Sequence, residues 1–194
     1  MKHILLVIGF LSAFFSCAES LEVDDSFIGK KFELISQDSL QFNFPEIIKG
    51  KIGVVGYVFT NCPDICPLTT NNMRLIQERL KKEGITDVEL VSISFDPEVD
   101  TPPVLKRYAE LRRLDLSNWT FLTGKKSVTD ALIKEANVLA IVGDSTIIEG
   151  ETTYFYVHTD RISLFDRTGN IRNNYLGSQT DIDQVIKDVK KLLN

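Results

Sequence analysis

Apolar and polar positions alternate over Phe32–Ile35 and again over Leu40–Phe44, on either side of the polar turn Ser36-Gln37-Asp38-Ser39. Period-two alternation around a short polar break predicts a β-hairpin. Ile52 to Phe59 abandons that rhythm for a nearly continuous apolar run, which suits a strand buried on both faces of a parallel or mixed sheet. From Pro67 the period becomes helical, with Leu68, Met73, Leu75, Ile76 and Leu80 apolar and Gly84 beyond the end. Pro at a helix start and Gly past its end are the usual punctuation. Val88 to Phe95 predicts a second buried strand. Thr101-Pro102-Pro103 predicts the cap of a helix over Val104–Leu114, with Leu105, Tyr108 and Leu111 on one face.

Trp119–Leu122 predicts a short strand with Trp119 and Phe121 in the core, and Val128–Ala136 a third helix. Leu139 to Val157 is rich in Thr, Ile and Tyr, broken at Gly143-Asp144 and Gly150, and predicts a hairpin or extended loop. Arg161–Phe165 and Ile171–Tyr175 flank Asp166-Arg167-Thr168-Gly169-Asn170, a second hairpin. A closing helix over Asp181–Leu193 places Ile182, Val185, Ile186, Val189 and Leu192 at helical spacing. Strand–helix alternation with a late antiparallel hairpin predicts an α/β domain, a central mixed sheet flanked by helices. After about residue 27 no repeat or linker divides the chain.

Composition adds one domain of ordinary globular character: 194 residues, 43% hydrophobic and 25% charged. The net charge is −5, and no basic run exceeds two residues before the last helix. That argues against nucleic acid as a partner, because such binders carry a basic footprint. The N-terminus is different. Lys2, then the apolar run Ile4–Phe15, then Ser16-Cys17 read as a secretory signal over residues 1–16. Those twelve residues would rise only about 18 Å as a helix, short of a hydrocarbon core of roughly 30 Å. Ser16-Cys17 resembles a bacterial lipoprotein processing site, with Phe14 where Leu is usual. Cys17 would then carry lipid, residues 17–26 would form an acidic tether, and residues 27–194 the domain. The implied location is the bacterial cell envelope, on a membrane and facing away from the cytoplasm.

Processing would leave few soft ligands: Cys62, Cys66, His158 and the single thioether of Met73. Cys62 and Cys66 bracket Pro63-Asp64-Ile65 between a buried strand and a helix, a junction where sheet proteins gather chemistry. Cysteines four apart on one helical turn hold their Cβ atoms about 5–6 Å apart, close enough for a disulfide or for one metal ion. A helix N-terminus stabilises thiolates, while Asp64 between them opposes it. A structural disulfide is the plainer alternative, but so small a closed loop removes little chain entropy. Two thiolates and an imidazole suit copper or zinc. Structural zinc asks for four protein ligands, so copper ranks first, provided the fold brings His158, 92 positions beyond Cys66, to the pair.

Cys62-Pro63-Asp64-Ile65-Cys66-Pro67, Ser94 to Pro102 (SFDPEVDTP), and His158-Thr159 followed by Asp166 and Gly169 resemble, in order and spacing, three motifs of the Sco (SenC/PrrC) family of cytochrome c oxidase assembly proteins. The resemblance covers roughly residues 27–193. It implies a thioredoxin-like fold with an N-terminal hairpin extension, and copper, as Cu(I) or Cu(II), held by Cys62, Cys66 and His158. It also implies delivery to the copper A centre of cytochrome c oxidase or another cuproprotein, or reduction of the acceptor's cysteines. A thiol reductant is a further implied partner. One departure stands out: the family often has Asp before the ligand His, and here that residue is Val157. Asp96 reads as a turn residue ending a strand, and Asp100 and Thr101 as caps. A thiol-disulfide oxidoreductase built on Cys62 and Cys66, though the usual spacing there is Cys-x-x-Cys, and a tethered binding module with a structural disulfide are the competing readings.

Overall fold

The structure, a computed structural model, describes residues 20–62, 65–148 and 151–193. Ten strands and four α-helices alternate along it. They are β1 (Asp25–Ser26), β2 (Phe32–Ser36), β3 (Gln41–Phe44), β4 (Ile52–Val58), α1 (Ile65–Lys82), β5 (Val88–Ser94) and α2 (Pro102–Leu111). There follow β6 (Trp119–Thr123), α3 (Lys126–Glu135), β7 (Ala140–Ile148), β8 (Glu151–His158), β9 (Arg161–Phe165), β10 (Asn170–Leu176) and α4 (Ile182–Leu193). Eight strands form one mixed sheet in the order β1-β10-β9-β4-β5-β6-β2-β3. Its centre, β4-β5-β6, is parallel, and the flanking pairs are antiparallel. Strands β7 and β8 form a separate two-stranded ribbon.

Every residue of β4 is buried, because both faces of the sheet are covered, as its unbroken apolar run requires. On one face Val54 and Leu90 meet Met73 and Ile76 of α1, Leu105 of α2 and Val185 of α4. On the other, Val55, Tyr57 and Ile93 meet α3 and the β2–β3 hairpin. Phe27, Phe44 and Phe165 close that second core edge to face, with centroids 5.4–5.6 Å apart, a favoured geometry for aromatic rings. Trp119 and Phe121 are fully buried. Met73 is too, its sulfur facing Ser92 Oγ within the core. Among the described residues no helix is long and apolar enough to cross a membrane.

Three boundaries differ from the sequence pattern. Helix α1 begins at Ile65, ahead of Pro67, since a first-turn amide has no intrahelical partner and proline sacrifices nothing by lacking one. Helix α2 ends at Leu111, which is exposed. Its buried face is Leu105, Tyr108 and Ala109, and Arg113 turns the chain out with φ of 52°. Finally, the stretch before residue 27 lies partly on the sheet: Asp25–Ser26 pairs with β10, and Arg172 donates to the carbonyls of Leu21 and Glu22. Cys17 and residues 1–16, the expected signal segment, lie outside the described residues.

Candidate metal centre

Strand β4 delivers the chain to the edge of the sheet where β5 also ends, the edge at which parallel sheets build sites. There the backbone turns sharply, Cys62 N donating to Phe59 O at 3.3 Å, and then enters α1. Cys66 N donates to Cys62 Sγ at 3.3 Å. The Cys62 sulfur thus takes the place of a capping oxygen for one of the unpartnered amides of the first helical turn. A helix end of that polarity favours negative charge on the sulfur. Pro63 and Asp64 lie outside the described residues.

His158 is the last residue of β8. Its Nε2 lies 3.9 Å from Cys66 Sγ, and the ligand-capable atoms of Cys62, Cys66 and His158 lie within 4.8 Å of one another. His158 Nδ1 sits 3.2 Å from the carbonyl of Thr159. A carbonyl only accepts, so Nδ1 carries the hydrogen and Nε2 turns its lone pair toward the sulfurs. The ring is braced by Phe95 and Phe59, at 5.1 and 5.9 Å between centroids, and both rings also pack on Tyr156. Tyr156 OH in turn donates to Asp96 Oδ1 at 3.3 Å.

Both cysteines are in the reduced, thiol form and nearly inaccessible, 8% exposed at Cys62 and 1% at Cys66. The hydrogen bond to Cys62, and then burial, push the Cys66 thiol far above its ordinary pKa. At His158 burial disfavours the charged ring, but hydrogen bonds with Cys62 and the Thr159 carbonyl outweigh it and raise the pKa. A cation entering here must therefore displace protons, and its affinity climbs with pH.

Asp100 was expected as a cap and does other work. It is fully buried, and its carboxylate accepts from Thr60 N at 3.1 and 3.2 Å, Thr60 Oγ1 at 2.5 Å and Ser94 Oγ at 2.6 Å. It pins the segment two residues before Cys62 to the end of β5. Burial lifts its pKa to about 6, assisted by the charge of Asp96 and opposed by the Ser94 and Thr60 hydrogen bonds. Thr101 holds the N-cap position of α2 without a side-chain capping bond. Asp96 is the expected turn residue after β5, its carbonyl accepting from Val99 N and Asp100 N, and it is buried. The sequence flagged the segment that holds Asp96 and Asp100 but not the task of Asp100. It gave no sign of the aromatic brace.

Comparison with known proteins agrees with this architecture. The family model described as SCO1/SenC matches residues 22–194. A SCO1/SenC family lipoprotein from Bacillus anthracis str. Ames superimposes with a TM-score of 0.77 at 30% identity, over 90% of this chain and 99% of that one. BsSco, of the Sco family of cytochrome c oxidase assembly proteins, gives a TM-score of 0.69 at 32% identity, over 88% and 97%. Bradyrhizobium japonicum ScoI, solved with copper bound, gives 0.70 at 27% identity, over 85% and 99%. The fold is thioredoxin-like with an N-terminal hairpin, and the chain belongs to the SCO1/SenC family.

Proposed function

We propose that this protein carries copper in the bacterial cell envelope, holding it with Cys62, Cys66 and His158 and passing it to the copper A centre of cytochrome c oxidase. The observation that carries the reading is convergence: three soft or borderline donors, two of them 96 and 92 positions from the third, lie within 4.8 Å. Thiolate and imidazole bonds of about 2.3 and 2.0 Å put two donors on one ion roughly 3.7 Å apart at a trigonal angle. The 3.9 Å between Cys66 Sγ and His158 Nε2 is close to that. No fourth Cys, His or carboxylate joins the group among the described residues, which suits a low-coordinate copper ion better than structural zinc.

Loading replaces the thiol protons of Cys62 and Cys66, and any proton on His158 Nε2, by the ion. Release is ligand exchange, the acceptor's thiolates displacing His158 and then the sulfurs. The copper-bound Bradyrhizobium relative and the oxidase-assembly family of BsSco support cargo and acceptor. A lipid on Cys17 would hold the domain at a membrane outside the cytoplasm. A thiol reductant would be needed to keep the pair reduced, because a disulfide consumes both thiolates.

The test is a copper titration followed by absorption. Wild type should bind one Cu(II) per chain with intense thiolate-to-copper charge-transfer bands. The Cys62→Ala, Cys66→Ala double variant should lose band and stoichiometry together, and unchanged stoichiometry there would sink the reading.

A further inference from the structure

Two residues beyond His158, the carboxylate of Asp160 reaches away from the ribbon to the helix that carries Cys66. Its Oδ1 accepts from Thr69 Oγ1 at 2.9 Å, and its two oxygens accept from Ser178 N at 3.1 and 2.9 Å. Thr69 stands one turn after Cys66 on α1 and is 2% exposed. The segment that follows β10 completes the joint: Asn72 Nδ2 donates to Gly177 O at 2.7 Å, and Gly177 N donates to the Asp160 carbonyl at 3.4 Å. Gly177 is required there. A Cβ at that position would press inside contact distance of Asp160 Oδ1 and stand 2.8 Å from the Thr69 side chain.

We propose that Asp160, clasped by Thr69 and Ser178 and admitted by Gly177, is the positioning residue that sets the distance between Cys66 and His158. The inference rests on the metal-carrier reading for its functional consequence, though not for its geometry. Cys66 stands on α1, whereas His158 ends the ribbon with only Thr159 and Asp160 between it and β9 of the eight-stranded sheet. How that short connection is anchored bears directly on how far apart sulfur and nitrogen stand. The Asp160 side chain ties it to the helix of Cys66 itself. Thr69 Oγ1 has an alternative acceptor in Ile65 O at 3.2 Å. Its single hydrogen goes to the shorter, charged partner, the stronger type of bond.

Four variants test this: Asp160→Ala, Thr69→Val, Thr69→Ser and Gly177→Ala. In the metal-free protein the cross-relaxation between Cys66 β protons and His158 Hε1 reports the distance directly. In the Cu(I) form the rate of release to excess chelator reports its consequence. Thr69→Val, Asp160→Ala and Gly177→Ala should weaken the cross-peak and speed release about three- to tenfold, the scale of one lost hydrogen bond. Thr69→Ser, which restores the hydroxyl, should behave as wild type. The Asp160→Ala, Thr69→Val double variant should be no worse than the poorer single one, since both remove one contact. An unchanged cross-peak in Thr69→Val and Gly177→Ala, a Thr69→Ser that resembles Thr69→Val, or multiplicative effects in the double variant would each overturn the proposal. Should Asp160→Ala fail to fold, the Thr69 pair decides alone. A wild type that takes up no copper while the cross-peak responds as described would leave the clamp standing and fell the carrier reading instead.

Discussion

The two halves of the candidate site are held in different ways. Cys62 and Cys66 are embedded in the main core, on a loop pinned by Asp100 and on the first turn of an eighteen-residue helix. His158 stands at the end of a two-stranded ribbon outside the eight-stranded sheet, where Ile141, Val142 and Val157 remain more than half exposed. The contrast suggests a division of labour for the proposed carrier: sulfurs fixed by the body would supply the binding, and an imidazole on a separate arm, held by side-chain contacts, would supply the ligand that leaves first.

The largest effect should come from Phe95→Ala, because Phe95 joins the two halves. Its ring touches Phe59 on the body side and Tyr156 and His158 on the ribbon side. A cavity there should cost roughly 3–5 kcal/mol, measured by chemical denaturation, and should weaken copper binding as well. A variant that loses stability but keeps wild-type affinity would show that the ribbon needs no brace.

Next is the pH dependence of the body half. Asp100 has its pKa raised from 3.8 to about 6 by burial. A folded pKa above the unfolded one means the folded state binds more protons between those values, so stability present at low pH is lost as pH climbs from about 4 to 6. The full shift corresponds to a contribution of up to about 3 kcal/mol. Asp100→Asn, whose amide can donate to a reversed Ser94 hydroxyl, should flatten that slope. Denaturation midpoints for the two proteins at pH 4, 5, 6 and 7 would reveal a slope that persists, if another group is responsible.

His158→Ala should keep a thiolate-bound copper but weaken it about 10- to 100-fold, or roughly 1.4–2.8 kcal/mol, read by competition with a chelator of known affinity. Loss of all copper would mean the ribbon carries as much of the binding as the body. The smallest effect belongs to the outer face of the ribbon. Val157→Thr replaces an exposed methyl by a hydroxyl next to the ligand, and stability should move by no more than about 0.5 kcal/mol. A larger loss in a thermal melt would show that this apolar face is covered in solution.

Much of this organisation was readable in the residues. The hairpin, the buried strand before the Cys pair, the helices and the Cys62–Cys66 turn all follow from local periodicity, which a single chain segment carries within itself. The misreadings share one cause. Asp100 looked like a cap because it precedes Thr101-Pro102-Pro103, but its partners Thr60 and Ser94 belong to another strand end and another loop. Leu111 was placed on one face with Leu105 and Tyr108 because helical spacing names a face without saying where the helix stops, and a left-handed Arg113 ended it early, leaving Leu111 exposed. The early acidic stretch looked free because its partner, β10, lies about 145 residues away.

By itself the sequence determined the element order, the presence of a dithiol at a strand–helix junction and the scarcity of other soft ligands, since each depends on residue type and near neighbours. Tertiary structure alone decided that one histidine reaches the dithiol, that the arm bearing it forms its own ribbon, and that Asp100 and Asp160 are anchors. Those are distances between segments tens of residues apart. Side-chain packing and buried hydrogen bonds fix them, and no periodicity along the chain records where two such segments will meet.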